Sequence, residues 1–477
     1  MNMIEQATTK DAYQLFHEGT LALARAERQG IRLDVNYCEK QKKLLTNKIN
    51  RAYEKFKETK LYHIWNKVYK DKTNLDSNHQ LGYILYHIMK IEPPKLTVSG
   101  KGATDEEALM QLDLPELKWI KEIRKFKKIR DTYLDSFLRE QNNGYLHPFF
   151  NLHTVKTYRS SCQSPNIQNI PRRDAETMAI CRRALYARPG HQLVEIDYHA
   201  LEVSISACIN KDPNLIRYLT NPESDMHGDM AIQIFMLYGY MNLIDKAGGV
   251  SKVPEFKVLR DATKNGFVFP QFYGDYYGNN AVSIACDWCK LPKGKWRKNQ
   301  GIKIVNDRTI GEHFIEHGIK SLDDFIEHMK KIEHDFWHNK FGVYGQWRED
   351  WYREYQRKGY FDLLTGFRCS GIMRRNGVVN YPVQGAAFHC LLKTFIEVDK
   401  IMRKENWDSR LVGQIHDSIL LDVHPNELEH VIKTVRRVAT VKLPRIWKWI
   451  IVPLSVEVDV TPVDGSWADK KEYDGGI

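Results

Sequence analysis

Two aspartates set in apolar runs are the first residues in this sequence able to do chemistry. In "GQIHDSILLDV" (Gly413 to Val423), the runs Leu411 to Ile415 and Ile419 to Val423 read as β-strands, with His416 and Asp417 in the turn between them. In "HQLVEIDYHALEVSISA" (His191 to Ala207), Leu193, Val194 and Ile196 read as a strand ending at Asp197, and the pattern after Tyr198 is compatible with a helix. Either aspartate alone is an ordinary turn or cap residue. Together, carboxylates held at the ends of rigid strands can bind two divalent cations roughly 3.5–4 Å apart, the arrangement used in phosphoryl transfer.

Phosphate ligands occur in "VLRDATKNGFVFPQFYGDYY" (Val258 to Tyr277). Arg260 and Lys264 stand four residues apart and share one helix face. Arg offers a planar fork to a polyphosphate, and Lys a point charge that can also protonate a leaving group. Without the paired aspartates, the same spacing would be an ordinary solvated face.

The elements that must position these residues lie in a long basic chain. Its 477 residues are 42% hydrophobic and 11% aromatic, enough for large cores in several subdomains. A net charge of +11 and a pI near 9.0 point to a polyanionic partner. No apolar run is long enough to span a bilayer, and the first thirty residues carry charges throughout instead of an apolar h-region, so no export signal is visible. Nucleic acid is then favoured over a membrane, in the cytoplasm of the cell or of a viral host. Eight scattered cysteines fit reduced thiols, and the lone CxxC of Cys286 and Cys289 reads as structural.

Residues 11 to 60 read as helical, with Leu45, Ile49, Ala52 and Phe56 forming a stripe. A second helical tract, Trp119 to Leu138, places Ile123, Phe126, Ile129 and Tyr133 at helical spacing. Around them lie Lys121, Arg124, Lys125, Lys127, Lys128 and Arg130, read as contacts to a phosphate backbone. Glu92 to Leu109 reads as loop. A second basic loop, Lys290 to Lys303, contains Trp296, which suits either base stacking or a buried anchor. Near the C-terminus Val452, Leu454, Val456, Val458 and Val460 alternate as a half-buried strand, expected beside the Asp417 hairpin with Glu457 and Asp459 facing solvent or DNA.

These segments resemble the signature motifs of family A DNA polymerases. "DYHALEVSISA" is similar to the family's DYSxIELR, the Arg260 stretch to R-x3-K ending in YG, and "IHDSI" to HDE. In order along the chain, "RQGIRLD" (Arg28 to Asp34) and "KEIRKFKKIRDTYLDSFL" resemble thumb segments. "YRSSCQSPNIQNIPRR" (Tyr158 to Arg173) resembles GRLSSxxPNLQNIP, "DMHGDMA" (Asp225 to Ala231) DxHxxTA, and "NYPVQGAA" (Asn380 to Ala387) NxPxQGxAA.

The resemblance implies an α+β right-hand fold: an N-terminal segment and thumb in 1–145, palm in 146–222 and 365–477 around an antiparallel sheet, and mostly helical fingers in 223–364. It implies template-directed DNA synthesis from primer-template DNA and dNTPs. Asp197, Asp417 and the Tyr198 carbonyl are implied to hold two Mg²⁺ ions, with Mn²⁺ as a substitute. His227, Arg260 and Lys264 are implied to contact the incoming phosphates, Lys264 protonating pyrophosphate. Glu202 takes the steric-gate position against a ribose 2′-hydroxyl, Tyr273 closes the same nucleotide pocket, and Arg159, Asn380, Gln384 and His416 lie near the primer terminus. Contacts to the minor-groove edge there sense pair geometry, since acceptors are present in every correct pair.

The sequence departs from the family pattern in three places. Ser418 stands where the family usually has Glu, so the site carries one carboxylate fewer. The Arg260 motif is one residue longer between Lys264 and Tyr273 and contains Gly266 and Pro270, so its helix is expected to bend, bulge or end. A single bulge makes Phe269 the ring against the nucleotide sugar; counting from Lys264 gives Val268 instead. The stretch from Tyr277 to Phe314 is longer than the family leads one to expect, an insertion near 275–314 holding the basic loop.

The thumb-like segment begins within about thirty residues of Met1, too few for a proofreading or 5′-nuclease domain of on the order of 100–200 residues. The expectation is therefore polymerase activity alone, in phage or prophage replication, with a separate exonuclease or processivity subunit as partner. Two other classes stand beside it. A polymerase-derived scaffold would bind nucleic acid without chemistry, and a single-subunit RNA polymerase would share the metal pair but not the fit of Glu202.

Overall fold

The computed structural model describes residues 7–97, 99–112, 114–170 and 174–475. Val98, in the loop from Glu92, and Pro171 to Arg173, at the end of the segment from Tyr158, lie outside the described residues.

Helix α1 (Thr9–Gln29) starts at a capping box in which Thr8 and Asp11 bond each other's backbone, and it stops at Gly30. Gly30 has φ +69°, and a Cβ there would meet the Leu146 carbonyl at 2.7 Å. The chain then runs as a short strand, Ile31–Leu33, and re-enters helix α2 (Val35–Lys57) through the Asp34 cap, which accepts from Tyr37 N at 2.8 Å. The tract expected as one helix over 11–60 is thus two, split by a glycine and a capping aspartate that helical periodicity does not register. Ile31–Leu33 pairs with both Tyr145–Leu146 and Leu185–Tyr186.

The apolar stripe of α2 packs on helix α3 (Leu117–Lys127), which buries Leu117, Ile120, Ile123 and Phe126. The helical path continues as a wide π-helical turn over Lys128–Leu134 and ends in Asp135–Glu140. Phe56, Leu61, Trp65, Leu81 and Leu109 form a small separate core beside it. The stretch expected as loop from Glu92 to Leu109 ends in a short helix, Glu106–Met110, because Asp105 caps it.

The central sheet has five antiparallel strands: β1 (Gln192–Tyr198), β2 (Arg410–Ile415), β3 (Ser418–Val423), β4 (Val456–Val460) and β5 (Lys471–Glu472), in the order β5-β4-β1-β3-β2. β1 and β3 are buried almost throughout, which suits their unbroken apolar runs. Two expectations about β4 need correction. Val452 and Leu454 are buried but precede the strand, and β4 pairs with β1, the Asp197 strand, on the side away from the hairpin.

After β1, Ala200 at φ +50° turns the chain into helix α4 (Leu201–Asn210). Helices α5 (Met226–Ile234) and α6 (Pro254–Thr263) follow, and helix α7 (Arg375–Glu405) runs 31 residues across the core with Pro382 inside it. The architecture is α+β, as expected. No helix among the described residues is long and apolar enough to cross a membrane.

Candidate active site

Asp197 is the next-to-last residue of β1 and Asp417 sits in the β2–β3 turn, so adjacency of β1 and β3 brings two carboxylates from distant sequence together. Tyr198 N donates to Asp417 O at 3.1 Å, fastening the turn to the end of β1. His416 adopts φ +52° and is exposed. The Tyr198 ring is buried, with its hydroxyl 2.7 Å from Thr394 Oγ1, so only the main chain of this residue can face the site.

Asp197, Tyr198, Glu202, Phe269, Tyr273, Asn380, Gln384 and Asp417 line one cavity of about 250 Å³. Arg159 reaches into the same group, 3.3 Å from Glu202 and 3.7 Å from Asp417. Burial pushes the Glu202 carboxyl above its usual range, against the opposing pull of the Tyr273 hydroxyl and Arg159. Its Oε2 is buried without a hydrogen-bond partner. Such an orphaned acceptor in a cavity wall is a place for a ligand donor.

Two of the phosphate-ligand candidates lie beside Phe269. Its ring lies 5.6 Å from the His227 ring and 5.4 Å from Lys264 Nζ. Burial, then Arg260 and Lys264, lower the His227 pKa to about 4, so its imidazole is neutral at pH 7. Its Nδ1 is buried and unpartnered. Arg260 is bidentate to Asp225, at 2.7 and 2.8 Å, a pairing the sequence did not point out although Asp225 opens the quoted "DMHGDMA".

The extra residue of the Arg260 motif is absorbed by a π-helical turn, Lys264–Val268, whose widened ladder bonds Phe269 N to Lys264 O. The turn leaves Val268 fully buried and Phe269 at the cavity. It also places Pro270, which lacks an N–H, directly after the widened turn, and the helix ends at Phe272. Gly266 lies so close to the next segment that a Cβ would meet Ile284 Cγ1 at 2.8 Å. The end is held by α7: Asn380 Nδ2 donates to Tyr273 O at 2.7 Å and Asn376 Nδ2 to Gly274 O at 3.1 Å.

A polar network unforeseen from the sequence ties the Arg159 loop to the hairpin. Gln414 Oε1 accepts from Ser160 Oγ at 2.6 Å and Gln168 Nε2 at 2.7 Å, and Gln414 Nε2 donates to His416 O. Gln414 within an apolar strand was the available signal, since a buried amide needs partners.

The basic residues of α3 are largely engaged within the protein. Arg124 donates to Thr104 O at 2.9 Å, Lys125 pairs with Asp174 and Glu176, and Lys127 pairs with Asp76. Of the six basic residues read as phosphate contacts in this tract, Lys128, directly after α3, alone is exposed. In the second basic loop Trp296 is buried against Phe314 and Phe325, with Nε1 donating to Pro292 O at 2.8 Å, so it is an anchor and not a stacking platform. Lys290, Lys293, Lys295, Arg297 and Lys298 project from that anchored loop, all exposed. Cys289 is buried and Cys286 partly so, both as free thiols.

Among the described residues no three His, Cys, Asp or Glu side chains group around a metal position. Two carboxylates and a main-chain carbonyl still fit a hard cation such as Mg²⁺, which uses one or two carboxylates and takes further oxygens from water and substrate phosphates.

The chain is also similar to known proteins. The family described as DNA polymerase family A matches residues 36–241 and 330–468. DNA polymerase I of Pseudomonas aeruginosa is 26% identical over 431 residues, covering 87% of this chain and 40% of that protein. The thermostable DNA polymerase I of Thermus aquaticus is 26% identical over 467 residues, 94% of this chain and 47% of that protein. The chain therefore spans less than half the length of either relative. A solved structure, the POL domain of Pol1 from M. smegmatis in complex with DNA primer-template and dNTP, superposes with a TM-score of 0.71 at 22% identity. The likeness covers 95% of this chain and 70% of that one, and it concerns the fold.

Proposed function

The chain belongs to DNA polymerase family A, and from that premise we propose that it extends a DNA primer with dNTPs on a DNA template by two-metal nucleotidyl transfer. One observation carries the reading. Asp197 and Asp417 lie on neighbouring strands at one cavity, which Phe269 also lines with its ring beside His227 and Lys264. By analogy of position we assign 1–145 to a thumb, 146–222 and 365–477 to a palm, and 223–364 to fingers.

Asp197, Asp417 and the Tyr198 carbonyl would hold two Mg²⁺ ions, or Mn²⁺ in their place. When bound, the ions favour ionisation of the primer 3′-hydroxyl and neutralise triphosphate charge. The primer oxygen bonds to the α-phosphorus, the bond to the β-phosphate oxygen breaks, and the hydroxyl proton leaves to solvent. Lys264 gives pyrophosphate its proton. Arg260 exchanges Asp225 for phosphate oxygens, and neutral His227 supplies a hydrogen bond without adding charge. Phe269 packs on the sugar. Glu202, held by Tyr273 and Arg159, occupies the space a ribose 2′-hydroxyl needs. Arg159, Asn380, Gln384 and His416 follow the primer-terminal pair, and Lys128 with the Lys290 to Lys303 loop contacts the DNA backbone.

The test is extension of a labelled primer on a DNA template with Mg²⁺ and either dNTPs or NTPs, including a primer with a mispaired end. We expect extension with dNTPs, strong discrimination against NTPs that Glu202→Ala relaxes, and no removal of the mispaired nucleotide by these residues. A wild-type chain that binds the primer-template and never extends it would favour the scaffold reading.

A further inference from the structure

Ser418 touches both halves of the aspartate pair: it follows Asp417 in sequence and is the cross-strand partner of Asp197. Its hydroxyl lies 2.8 Å from Ile415 O, across the turn that carries Asp417, and 3.2 Å from Glu195 Oε1. Both are acceptors, so the single hydroxyl proton is shared between the turn and the Asp197 strand. Glu195 precedes Asp197 by two residues and so shares its face of β1.

Glu195 is only 3% exposed, too costly a place for a carboxylate without partners. Its Oε2 accepts from Lys470 Nζ at 2.6 Å and Trp467 Nε1 at 2.9 Å, with Arg182 at 3.8 Å. Lys470 also pairs at 2.7 Å with Asp459, the β4 residue opposite Glu195, and the Arg182 guanidinium lies over the Trp467 ring. Among the described residues, the carboxylates of Glu195 and Asp459 thus face the cations of Lys470 and Arg182. Although burial opposes ionisation, Lys470 and Arg182 more than offset it and hold the Glu195 carboxyl below its usual range. The network is tied to β1, β3, β4, the C-terminal segment and the helix Ala175–Arg182.

We propose that Glu195 and Ser418 are positioning residues that set the separation of Asp197 and Asp417, doing so at the position where the family's additional carboxylate is absent. The inference rests on reading the two aspartates as metal ligands. Holding β1 to β3 does not itself require a buried charge, because the strands already pair over six residues with Leu193, Val194, Ile196, Ile419 and Leu420 buried between them and their neighbours. Replacing such a network with apolar residues is often neutral for stability, so the argument for it lies in geometry. Each ligand aspartate is one or two residues from a side chain of the network, and the shared hydroxyl makes the turn and the strand move together.

The experiment measures Mn²⁺ affinity of the full chain without DNA or nucleotide, by electron paramagnetic resonance, for wild type, Ser418→Ala, Glu195→Gln and the double variant. Denaturant midpoint, duplex affinity without metal and the Mg²⁺ concentration giving half-maximal extension are followed in parallel. We expect each single variant to bind Mn²⁺ on the order of tenfold more weakly, with Mg²⁺ half-saturation raised to match. The double variant should be no worse than the weaker single, as for residues acting through one device. Duplex affinity should stay within about twofold of wild type. Mn²⁺ affinity unchanged in both singles, losses that simply multiply, or an equal loss of duplex affinity would overturn the proposal. A wild-type chain that binds no Mn²⁺ at all would instead overturn the metal reading beneath it.

Discussion

At the scale of single residues, the two aspartates stand out in the sequence because each lies where an apolar strand run stops, and a charged group there must have a reason. Their partners were less so. Asp225 on Arg260, Ser160 and Gln168 on Gln414, and Lys470 on Glu195 are pairings made by tertiary contact between distant segments, which no local pattern encodes. The ambiguity between Val268 and Phe269 shows the same limit, since counting residues cannot say where a helix widens. The structure yields a sharp contrast at those two positions. Val268→Ala should lower stability by about 2 kcal/mol, as for deletion of buried methyls, with little change in KM for dNTP. Phe269→Ala should leave the unfolding midpoint near wild type and raise that KM about tenfold or more, an aromatic contact of roughly 1–3 kcal/mol. Steady-state kinetics beside urea denaturation of both variants would check this, and equal KM effects would contradict the assignment.

Among the elements, the helical tracts and the strands at the site were readable from periodicity. Boundaries set by single residues were not: Gly30 and Asp34 divide α1 from α2, and Asp105 starts a helix where loop was expected. The neighbour of β4 also escaped the sequence, because alternation tells which face of a strand is buried and not which strand it joins. Basic character was likewise easy to see and hard to interpret. On α3 much of it is compensated internally, whereas six exposed cations stand on the Trp296-anchored loop, of which Lys303 pairs with Asp307. That contrast predicts different outcomes for the two regions. Reversing Lys293, Lys295, Arg297 and Lys298 to Glu should weaken primer-template binding and flatten its dependence on log salt by about one unit for each phosphate left without its cation. Lys125→Glu should chiefly lower stability, through Asp174 and Glu176. Fluorescence anisotropy over a salt series checks the first and urea denaturation the second, and an unchanged slope in the loop variant would direct that surface to a protein partner.

Across the whole molecule, the α+β architecture was foreseeable from ordered motifs spread along the chain, while the way buried polar groups tune its stability was not. His313 and His389 are almost fully buried, and burial lowers their pKa values to about 4 and about 3. The unfolded chain therefore takes up protons near pH 6.5 that the folded chain refuses, so stability falls as pH drops from about 6.5 towards 4. Each histidine contributes a slope approaching roughly 1 kcal/mol per pH unit in that window. Carboxylates held low, such as Glu397 at about 2, add their own loss only below their unfolded pKa of about 4.5. Urea midpoints measured from pH 7 to 5 should fall steadily, and a flat profile across that range would contradict the buried neutral histidines.

The central claim is that Asp197 and Asp417 act as one metal-binding pair in nucleotidyl transfer. Its most direct test is single-turnover dNTP incorporation with Mg²⁺ by wild type, Asp197→Asn and Asp417→Asn, each saturated with the same primer-template. The account predicts loss of incorporation by on the order of 10³-fold or more in each variant, with primer-template affinity retained. Incorporation at the wild-type rate by either variant would contradict it.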